Sequence, residues 1–352
     1  MADYAPRMRR SPIATGTALA LGSALAFGAS TPLVQHFGRG AGPFTTAALL
    51  YGGAAAVSAR PGPPRGTPLR RRDAPRLAVV TLLGAVAAPM ALAWGLQRTS
   101  GVIASLMLNV EALFTVLLAR WLWREPIGPR VAMALAAMLV GGALLVAGGH
   151  AASVEIGWGA LAVTAATFAW AADNVIGRPL ADCDPTQVVF AKGLLGAAAS
   201  FAIGRSLGET WPAARAAISL AACGAIGYGV SLQLYLRAQR LVGAARTGSV
   251  FSAAPFLGAA LAWALGERPA GASTILGGLL CAIGVLLHLT EAHEHEHSHE
   301  AVEHEHSHRH DDGHHDHHHD PLPRGEHSHR HRHEPISHVH AHGPDLHHRH
   351  GH

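Results

Sequence analysis

The chain has 352 residues, of which 49% are hydrophobic and only 14% are charged. Because a soluble domain carries about 25% charged residues, this composition excludes an ordinary water-soluble protein. The formal net charge of +4 comes from Arg, since Lys192 is the single lysine. We interpret this charge as a determinant of membrane topology and expect no nucleic-acid partner. The three cysteines are widely spaced and predict no disulfide framework.

Ten apolar stretches follow one another before about Thr290. At a rise of ~1.5 Å per residue, roughly twenty residues cross ~30 Å of hydrocarbon. The predicted spans are 12–34, 41–59, 77–96, 101–122, 130–148, 157–177, 186–204, 215–235, 247–266 and 272–290. The second span is rich in Gly and Ala and is therefore a weak candidate for a membrane-spanning helix. A count of eight or nine helices is the competing interpretation. The predicted fold is all-α and polytopic, surrounded by membrane lipid.

The distribution of arginine predicts the orientation of these spans. The short N-terminal segment 1–11 and most even-numbered connections are richer in Arg than the odd-numbered connections. The positive-inside rule then places both termini in the cytoplasm, and we expect the protein in the plasma membrane. An even number of spans agrees with this arrangement. We expect the first span to be a retained helix and not a cleaved signal peptide.

An internal repeat is visible when residues 112–146 are aligned with 254–288, which brings Glu125 opposite Glu267. Five helices per copy is an odd number, so the second copy is expected to be inverted in the membrane. Inverted repeats are typical of secondary transporters, whose substrate site lies near the midplane between the copies. Two Leu- and Ala-rich helix pairs also resemble each other by composition, but the shared Glu, with Pro and Gly after it, favours true repetition. The predicted units are the repeats 12–148 and 157–290 and a polar tail, 291–352.

Three segments, 108–130, 168–185 and 243–271, carry a family resemblance through their order and spacing. Over about residues 12–290 the chain resembles the EamA-like permeases of the drug/metabolite transporter superfamily. The resemblance implies the ten-helix, two-repeat plan and the transport of small organic solutes or metabolites, often as export and often coupled to an ion. It does not imply a particular substrate. The first-helix Glu typical of small four-helix multidrug relatives is missing, because residues 12–34 contain no acid.

Ionisable residues inside a membrane are costly, so each one needs a reason. Glu111 lies near the middle of the fourth predicted span. Because burial favours the neutral form of a carboxyl group, Glu111 is expected to bind and release a proton near neutral pH, or to pair with a cationic substrate. The alternative is a protonated Glu that hydrogen-bonds a neighbouring helix. We predict that Glu111 is the residue that couples transport to a proton or to substrate charge.

Asp173 and Lys192 each lie about nine residues from the centre of the connection between the sixth and seventh spans. Equal distance from the turn of a helical hairpin predicts equal depth, so a salt bridge between them is allowed. It is compatible with a structural ion pair and with a substrate site, and Lys192 could instead snorkel to the interface. Asn174 offers hydrogen-bonding groups to a cavity. Trp170 could form an aromatic wall, although packing is a common role for Trp.

Helix ends supply a second group of candidates. Glu125 and Glu267 are expected on opposite sides of the membrane, as gates, as helix caps or as solvated acids. Arg246 opens the ninth span and is expected to anchor it at the interface.

No phosphate loop, HExxH motif or nucleophile elbow is present in the sequence. We therefore predict that the protein is not an enzyme and requires no cofactor; a homodimer is compatible with this architecture.

The tail contains 24 His between His293 and His352. Imidazole is a strong ligand for Zn, Ni, Cu and Co, and alternate residues of an extended chain face one side. The candidate ligands are His293, His295, His297, His299, His304, His306, His308, His310, His314, His315, His317, His318 and His319. We expect weak, exchangeable binding of several divalent ions and disorder without metal. A solvated tail with adventitious metal affinity is the alternative.

These observations support three functional hypotheses. The first is a permease that exchanges a small solute, with protons as the candidate coupling ion, by alternating access. The second is a Ni, Co or Zn efflux or homeostasis protein whose tail gathers the metal. The third is a membrane-tethered metal buffer or sensor without solute flux. The three remaining histidines, His36, His150 and His288, lie near span ends, which argues against a metal path through the helices.

Overall fold

The computed structural model describes residues 12–59, 67–124, 127–152, 154–180, 183–268 and 271–289, and four short segments of the tail. The helices are α1 (Pro12–Phe37), α2 (Pro43–Ser58), α3 (Ala74–Thr81), α4 (Ala88–Leu96), α5 (Gly101–Met107), α6 (Val110–Trp123), α7 (Pro129–Ala152), α8 (Val154–Gly177), α9 (Pro185–Ser206), α10 (Ala214–Gly224), α11 (Ser231–Phe251), α12 (Ala254–Ala264) and α13 (Ala272–Leu289). Two π-helical segments, Leu82–Ala87 and Ala225–Val230, join α3 to α4 and α10 to α11. Short 3-10 helices cover Arg71–Asp73 and Arg178–Leu180. The predicted all-α, polytopic fold is confirmed.

Eight helical stretches among the described residues are long and apolar enough to cross a membrane. They are Ile13–Phe37, Arg71–Leu96, Gly101–Trp123, Pro129–Gly148, Val154–Leu180, Pro185–Ser206, Ala214–Gly243 and Arg246–Ala264. Ala272–His288 is apolar but shorter, and α2 has 16 residues, which cover ~24 Å. Most of α2 is buried between other helices, which explains its Gly- and Ala-rich composition. Ten membrane passes stay a prediction because of these two short helices.

The two halves pack through equivalent pairs of helices. α2 packs against α9 and α7 against α13, so each of these helices meets its own counterpart. In the same way α1 packs against α11 and α12, while α8 packs against α4 and α6. One operation that exchanges the halves therefore maps these contacts onto one another, as expected for related repeats.

Glycines allow the halves to approach closely at equivalent places. A Cβ atom on Gly16 of α1 would lie 2.4 Å from the Val242 side chain. A Cβ atom on Gly159 of α8 would lie 2.9 Å from the backbone nitrogen of Thr99. Both members of the second pair differ from those of the first by 143 positions. The repeat is therefore visible in close helix contacts as well as in the sequence.

The tail contains four described strands, β1 (His293–His299), β2 (Glu303–His308), β3 (His327–Arg332) and β4 (Ile336–His342). β1 pairs with β4 and β2 pairs with β3, both in antiparallel orientation. This is more regular structure than the sequence predicts. Disorder of the tail without metal stays a prediction about the protein in solution.

Candidate functional site

The π-helical segment before α4 leaves one carbonyl group of the helix without its usual partner. The amide of Ala88 donates to the carbonyl of Leu83, so it is not available to Gly84 four residues before it. The next residue, Pro89, has no N–H to donate. The Gly84 carbonyl therefore accepts hydrogen bonds from two side chains, Tyr51 Oη and Trp170 Nε1, the latter at 3.0 Å.

Aromatic rings from both halves gather around this carbonyl. The Tyr51 ring centroid lies 5.5 Å from that of Tyr228, and Phe27 lies 5.9 Å from Tyr228 and 6.3 Å from Trp170. Tyr51, Trp170 and Tyr228 are buried. The structure thus places the predicted aromatic wall residue, Trp170, in a cluster at the centre of the bundle, where it both packs and donates a hydrogen bond.

Asp173 and Lys192 form the predicted ion pair, with Lys192 Nζ donating to Asp173 Oδ2. Their side chains are only 8% and 14% exposed. A Cβ atom on Gly84 would lie 2.1 Å from Asp173 Oδ2 and 2.8 Å from Lys192 Nζ. The glycine therefore makes room for the charged pair directly beside the π-helical segment.

Glu111 begins the second part of a broken helix. The chain leaves α5 at Met107 and turns through Leu108 and Asn109 before α6 starts. Glu111 lies in the first turn of α6 and is partly buried. Its Oε1 accepts a 2.7 Å hydrogen bond from Asn174 Nδ2.

The charged groups near Glu111 are Asp173 and Lys192, so the structure brings the predicted polar residues into one cluster. With all three groups ionised, this cluster carries one net negative charge. Among the described residues there is no group of three or more His, Cys, Asp or Glu side chains able to hold a metal ion. The chemistry available in the centre is proton binding, hydrogen bonding and attraction of a cationic group.

Glu267 links the two halves at one end of the bundle. Its Oε2 accepts from the amides of Gly101, at 2.5 Å, and Val102, at 3.3 Å. These amides open α5 and have no partner within their own helix. Glu267 is thus a helix cap, which was one of the roles predicted for it. Glu125, its predicted counterpart, lies outside the described residues.

Glu209 makes a similar link that the sequence reasoning missed. It accepts from the amide of Phe44 at 3.2 Å, and from the amide and hydroxyl of Thr45 at 2.7 and 2.8 Å. Glu209 follows Gly208, which has a positive φ of 74° just after α9. An acid after a helix-ending glycine was the available signal, but its partner is a distant helix that only the fold brings close.

The other predicted positions lie away from this cluster. Arg246 is exposed, three residues after Gly243, where φ of 81° interrupts α11. Seven tail histidines occupy strand positions: His293, His295, His297 and His299 in β1, and His304, His306 and His308 in β2. The remaining candidates, His310, His314, His315, His317, His318 and His319, lie outside the described residues.

Two related helical halves around a buried polar centre define a membrane-embedded protein with the architecture of a transporter. The chain belongs to the EamA-like transporter family, whose model matches residues 14–147 and 157–290. An uncharacterized transporter of Methanothermobacter thermautotrophicus is 26% identical over 227 residues, which make up 62% of this chain. This chain covers 65% of that relative's length. A solved crystal structure shares the fold with a TM-score of 0.52 at 22% identity, over 78% of this chain and 95% of that one.

Proposed function

We propose that the protein is a secondary transporter that moves a small organic solute across the plasma membrane by alternating access, in exchange for protons. The observation that carries this proposal is the central cluster, in which Glu111 bonds to Asn174 beside the Asp173–Lys192 pair. Buried charges are expensive in a membrane, so they point to a site for a substrate or an ion.

The broken helices support the same site. The turn between α5 and α6 at Leu108–Asn109 has a counterpart at Ser252–Ala253 between α11 and α12. Discontinuous helices at corresponding positions of two repeats are the best structural pointer to a transporter binding site, because their free backbone groups face it. Glu111 is the second residue of the helix that follows the first break, whereas Ala254 begins the helix that follows the second.

We assign Glu111 the role of the coupling residue. In its neutral form it can hold the hydrogen bond to Asn174, and in its charged form it can attract a cationic substrate group. Proton and substrate then compete for the same carboxyl group, which is the simplest basis for exchange. Asp173 and Lys192 compensate each other and therefore set the surrounding potential without themselves needing to change charge.

The contacts of Glu209 and Glu267 fit a closed gate. Each carboxylate belongs to the second half and holds the first turn of a first-half helix. Alternating access requires that such contacts between halves break and reform. With both termini in the cytoplasm, this gate lies on the outer side, and solute enters from the cytoplasmic side.

The test is a transport screen with the full chain in proteoliposomes that enclose a pH-sensitive dye. Amines, amino acids, nucleosides and the divalent ions Zn²⁺, Ni²⁺ and Co²⁺ are offered side by side under an imposed pH gradient. We expect at least one organic solute to move with countermovement of protons. Glu111→Gln should abolish this exchange while the protein stays folded in the membrane.

Glu155→Gln is the matched control, because Glu155 is an exposed acid at the start of α8, away from the cluster. It should transport at the rate of the unaltered protein. Full pH-dependent exchange by Glu111→Gln would remove Glu111 from the mechanism. Movement of metal ions alone, with no organic solute carried, would overturn the proposed substrate class.

A second proposal concerns the tail, which we propose binds divalent transition metals such as Zn, Ni or Co. Its 24 His are the observation that favours it, since imidazole is a strong ligand for these ions. No group of three or more metal-ligating side chains occurs among the described residues, in the helices or elsewhere. The proposal for the tail is therefore carried by its composition.

A further inference from the structure

An open cleft of about 240 Å³ lies between the start of α9 and one face of α11. The residues that line it are Pro185 and Thr186 of α9 and Gln233, Leu236, Arg237 and Arg240 of α11. Residues three or four positions apart are neighbours on a helix surface, so the four residues of α11 form one continuous stripe. Two guanidinium groups therefore point from a single helix face into the same cleft.

The cleft opens close to the place where α11 leaves the membrane. The membrane span that contains α11 is Ala214–Gly243, and Gly243 interrupts the helix with a φ of 81°. At ~1.5 Å per residue, Arg240 lies about 4.5 Å and Arg237 about 9 Å before this end. Both arginines are exposed, and long basic side chains near the end of a span reach the headgroup layer. The cleft is thus at the depth of lipid phosphates.

The charge of the cleft is positive. None of the six described residues that line it is acidic. Asp184, which precedes the cleft in the chain, is buried and accepts a 2.8 Å hydrogen bond from the amide of Thr186. Even with Asp184 counted, these groups carry one net positive charge. Arg237 and Arg240 also interact with other groups of the protein, but each guanidinium has five N–H donors and can share them with an anion.

The first half has a corresponding cleft that lacks this charge. At the repeat interval of 143, Arg240 corresponds to Gln97, which lines a cleft of about 170 Å³, and Arg237 corresponds to Trp94. Gln97 Nε2 donates a 2.8 Å hydrogen bond to the carbonyl of Ala41. The fold therefore forms such a cleft without arginine. Membrane topology favours arginine near this end of α11, but it does not require two arginines on the face that lines the cleft.

We propose that this cleft binds the phosphate group of an anionic phospholipid. Arg237 and Arg240 contact the phosphate oxygens, because guanidinium groups match phosphate in charge and geometry, and the hydroxyl of Thr186 supplies a further donor. Basic pockets between membrane helices bind anionic headgroups in this way. The cleft is smaller than the ~300–1,000 Å³ of most small-molecule sites, which suits a headgroup whose acyl chains stay in the bilayer. The site is separate from the central cluster and does not depend on the transport proposal.

The experiment measures the affinity of phosphatidylglycerol for the full chain in a neutral detergent by native mass spectrometry. Phosphatidylcholine with the same acyl chains is the zwitterionic reference and should bind more weakly. Arg237→Gln with Arg240→Gln should weaken phosphatidylglycerol binding about thirtyfold. The matched control is Arg120→Gln with Arg124→Gln, which removes the same charge from two exposed arginines at the end of α6. Because α6 packs against α7 and α8, this control should keep the affinity of the unaltered chain.

A conservative variant separates recognition from folding. Arg237→Lys with Arg240→Lys preserves both charges but lacks the guanidinium fork, so its affinity should lie between those of the unaltered chain and the Gln variant. Thermal unfolding gives a second measurement, since a ligand that binds the folded state raises the unfolding temperature. Phosphatidylglycerol should raise it in the unaltered chain and in the Arg120 and Arg124 control, and much less in the Gln variant.

Three results would overturn the proposal. Equal loss of phosphatidylglycerol binding in the two Gln variants would mean that net charge, and not the cleft, attracts the lipid. Equal affinity for phosphatidylglycerol and phosphatidylcholine would exclude recognition of an anionic headgroup. Soluble glycerol 3-phosphate, added as a competitor at the lipid concentration, should leave the bound lipid in place, and its displacement of the lipid would assign the cleft to a soluble phosphate compound.

Discussion

The two halves of the membrane part share their backbone but differ in their chemistry. The π-helical segments begin at Leu82 and at Ala225, 143 residues apart, and the two matches to the family model are separated by the same interval. A break follows in each half. Both repeats thus share the irregular features of the helices, as the proposed alternating-access mechanism requires.

The buried charges do not follow this symmetry. At the same interval, Asp173 corresponds to Ser30, and Lys192 corresponds to Leu49. Glu111 corresponds to Ala254 at this interval of 143, which is one residue longer than the interval of 142 that brings Glu125 opposite Glu267. The comparison shows that the two repeats share a backbone scaffold. Charged residues that occur in only one repeat at each position give this symmetric centre an ion pair and an acid.

The largest effect is expected from removing one half of the ion pair. Lys192→Leu, which copies Leu49, leaves Asp173 buried without its partner. Loss of one member of a buried pair costs about 3–5 kcal/mol, so thermal unfolding in detergent should shift to a clearly lower temperature. Transport of the organic solute should be lost as well.

Adding Asp173→Ser, which copies Ser30, separates stability from function. The doubly changed protein has no buried charge left without a partner and should recover most of the lost stability, while transport stays absent. Wild-type transport by this variant would show that the ion pair only holds the hairpin together, and the asymmetry of the halves would then lack functional meaning.

The second prediction concerns the glycines of the two π-helical segments. Gly84→Ala places a Cβ atom against Asp173 and Lys192, whereas Gly227→Ala places one 2.5 Å from the Ser30 Cβ. Overpacking of this kind costs about 1–3 kcal/mol, so both variants should unfold more easily. Transport should fall much further in Gly84→Ala, because only this change displaces charged groups.

Gly52→Ala is the control for this comparison, since its Cβ atom would meet Ala197 at an ordinary 3.9 Å. It should leave both unfolding and flux unchanged. Equal loss of transport in the Gly84 and Gly227 variants would mean that helix packing, and not the charged pair, limits the rate.

Hydropathy was enough to predict the helical fold, because a bilayer tolerates few alternatives to apolar helices. The sequence allowed a salt bridge between Asp173 and Lys192, since both belong to one helical hairpin and chain distance measures their depth, but it also allowed Lys192 to snorkel to the interface. Trp170 was a candidate aromatic wall or packing residue, and its hydrogen bond to Gly84 was not predicted. That bond depends on a π-helical segment and on Pro89, whose effects appear only once α8 packs against α4.

Contacts between distant helices could not be predicted from the sequence, because they too depend on how the helices pack. Asn174 donates a hydrogen bond to Glu111, 63 residues away in the chain, and Glu209 accepts one from Thr45, 164 residues away. No local periodicity encodes which helix ends meet. The sequence therefore offered Glu267 only as a candidate gate or helix cap, and the equivalent contact of Glu209 was found through the fold.

The third prediction tests this gate. Glu209→Ala and Glu267→Ala each remove acceptors from a helix N-terminus, which costs about 0.5–2 kcal/mol, and together they should favour opening. The buried Thr46, changed to Cys in a background without native cysteines, reports on access beside Gln35 and Leu96. A membrane-impermeant maleimide added outside should label it severalfold faster.

The same label in a Glu155→Ala background provides the control, because Glu155 caps no helix of the other half among the described contacts. Its labelling rate should match that of the protein with both gate acids. Unchanged labelling after loss of Glu209 and Glu267 would show that these carboxylates only cap the N-termini of α2 and α5.

The smallest effect on transport is expected from deleting the tail, residues 291–352. The described helices and all contacts of the central cluster lie before residue 290, so neither unfolding temperature nor solute flux should change in metal-free buffer. Bound Zn²⁺ per chain, measured by atomic spectroscopy after dialysis, should fall by contrast to background. A loss of organic-solute flux on deletion would tie the tail to the transport cycle, and unchanged bound Zn²⁺ would place metal binding elsewhere. The expected result separates a tail that binds ions in water from a membrane part that uses a few buried charges to move a solute.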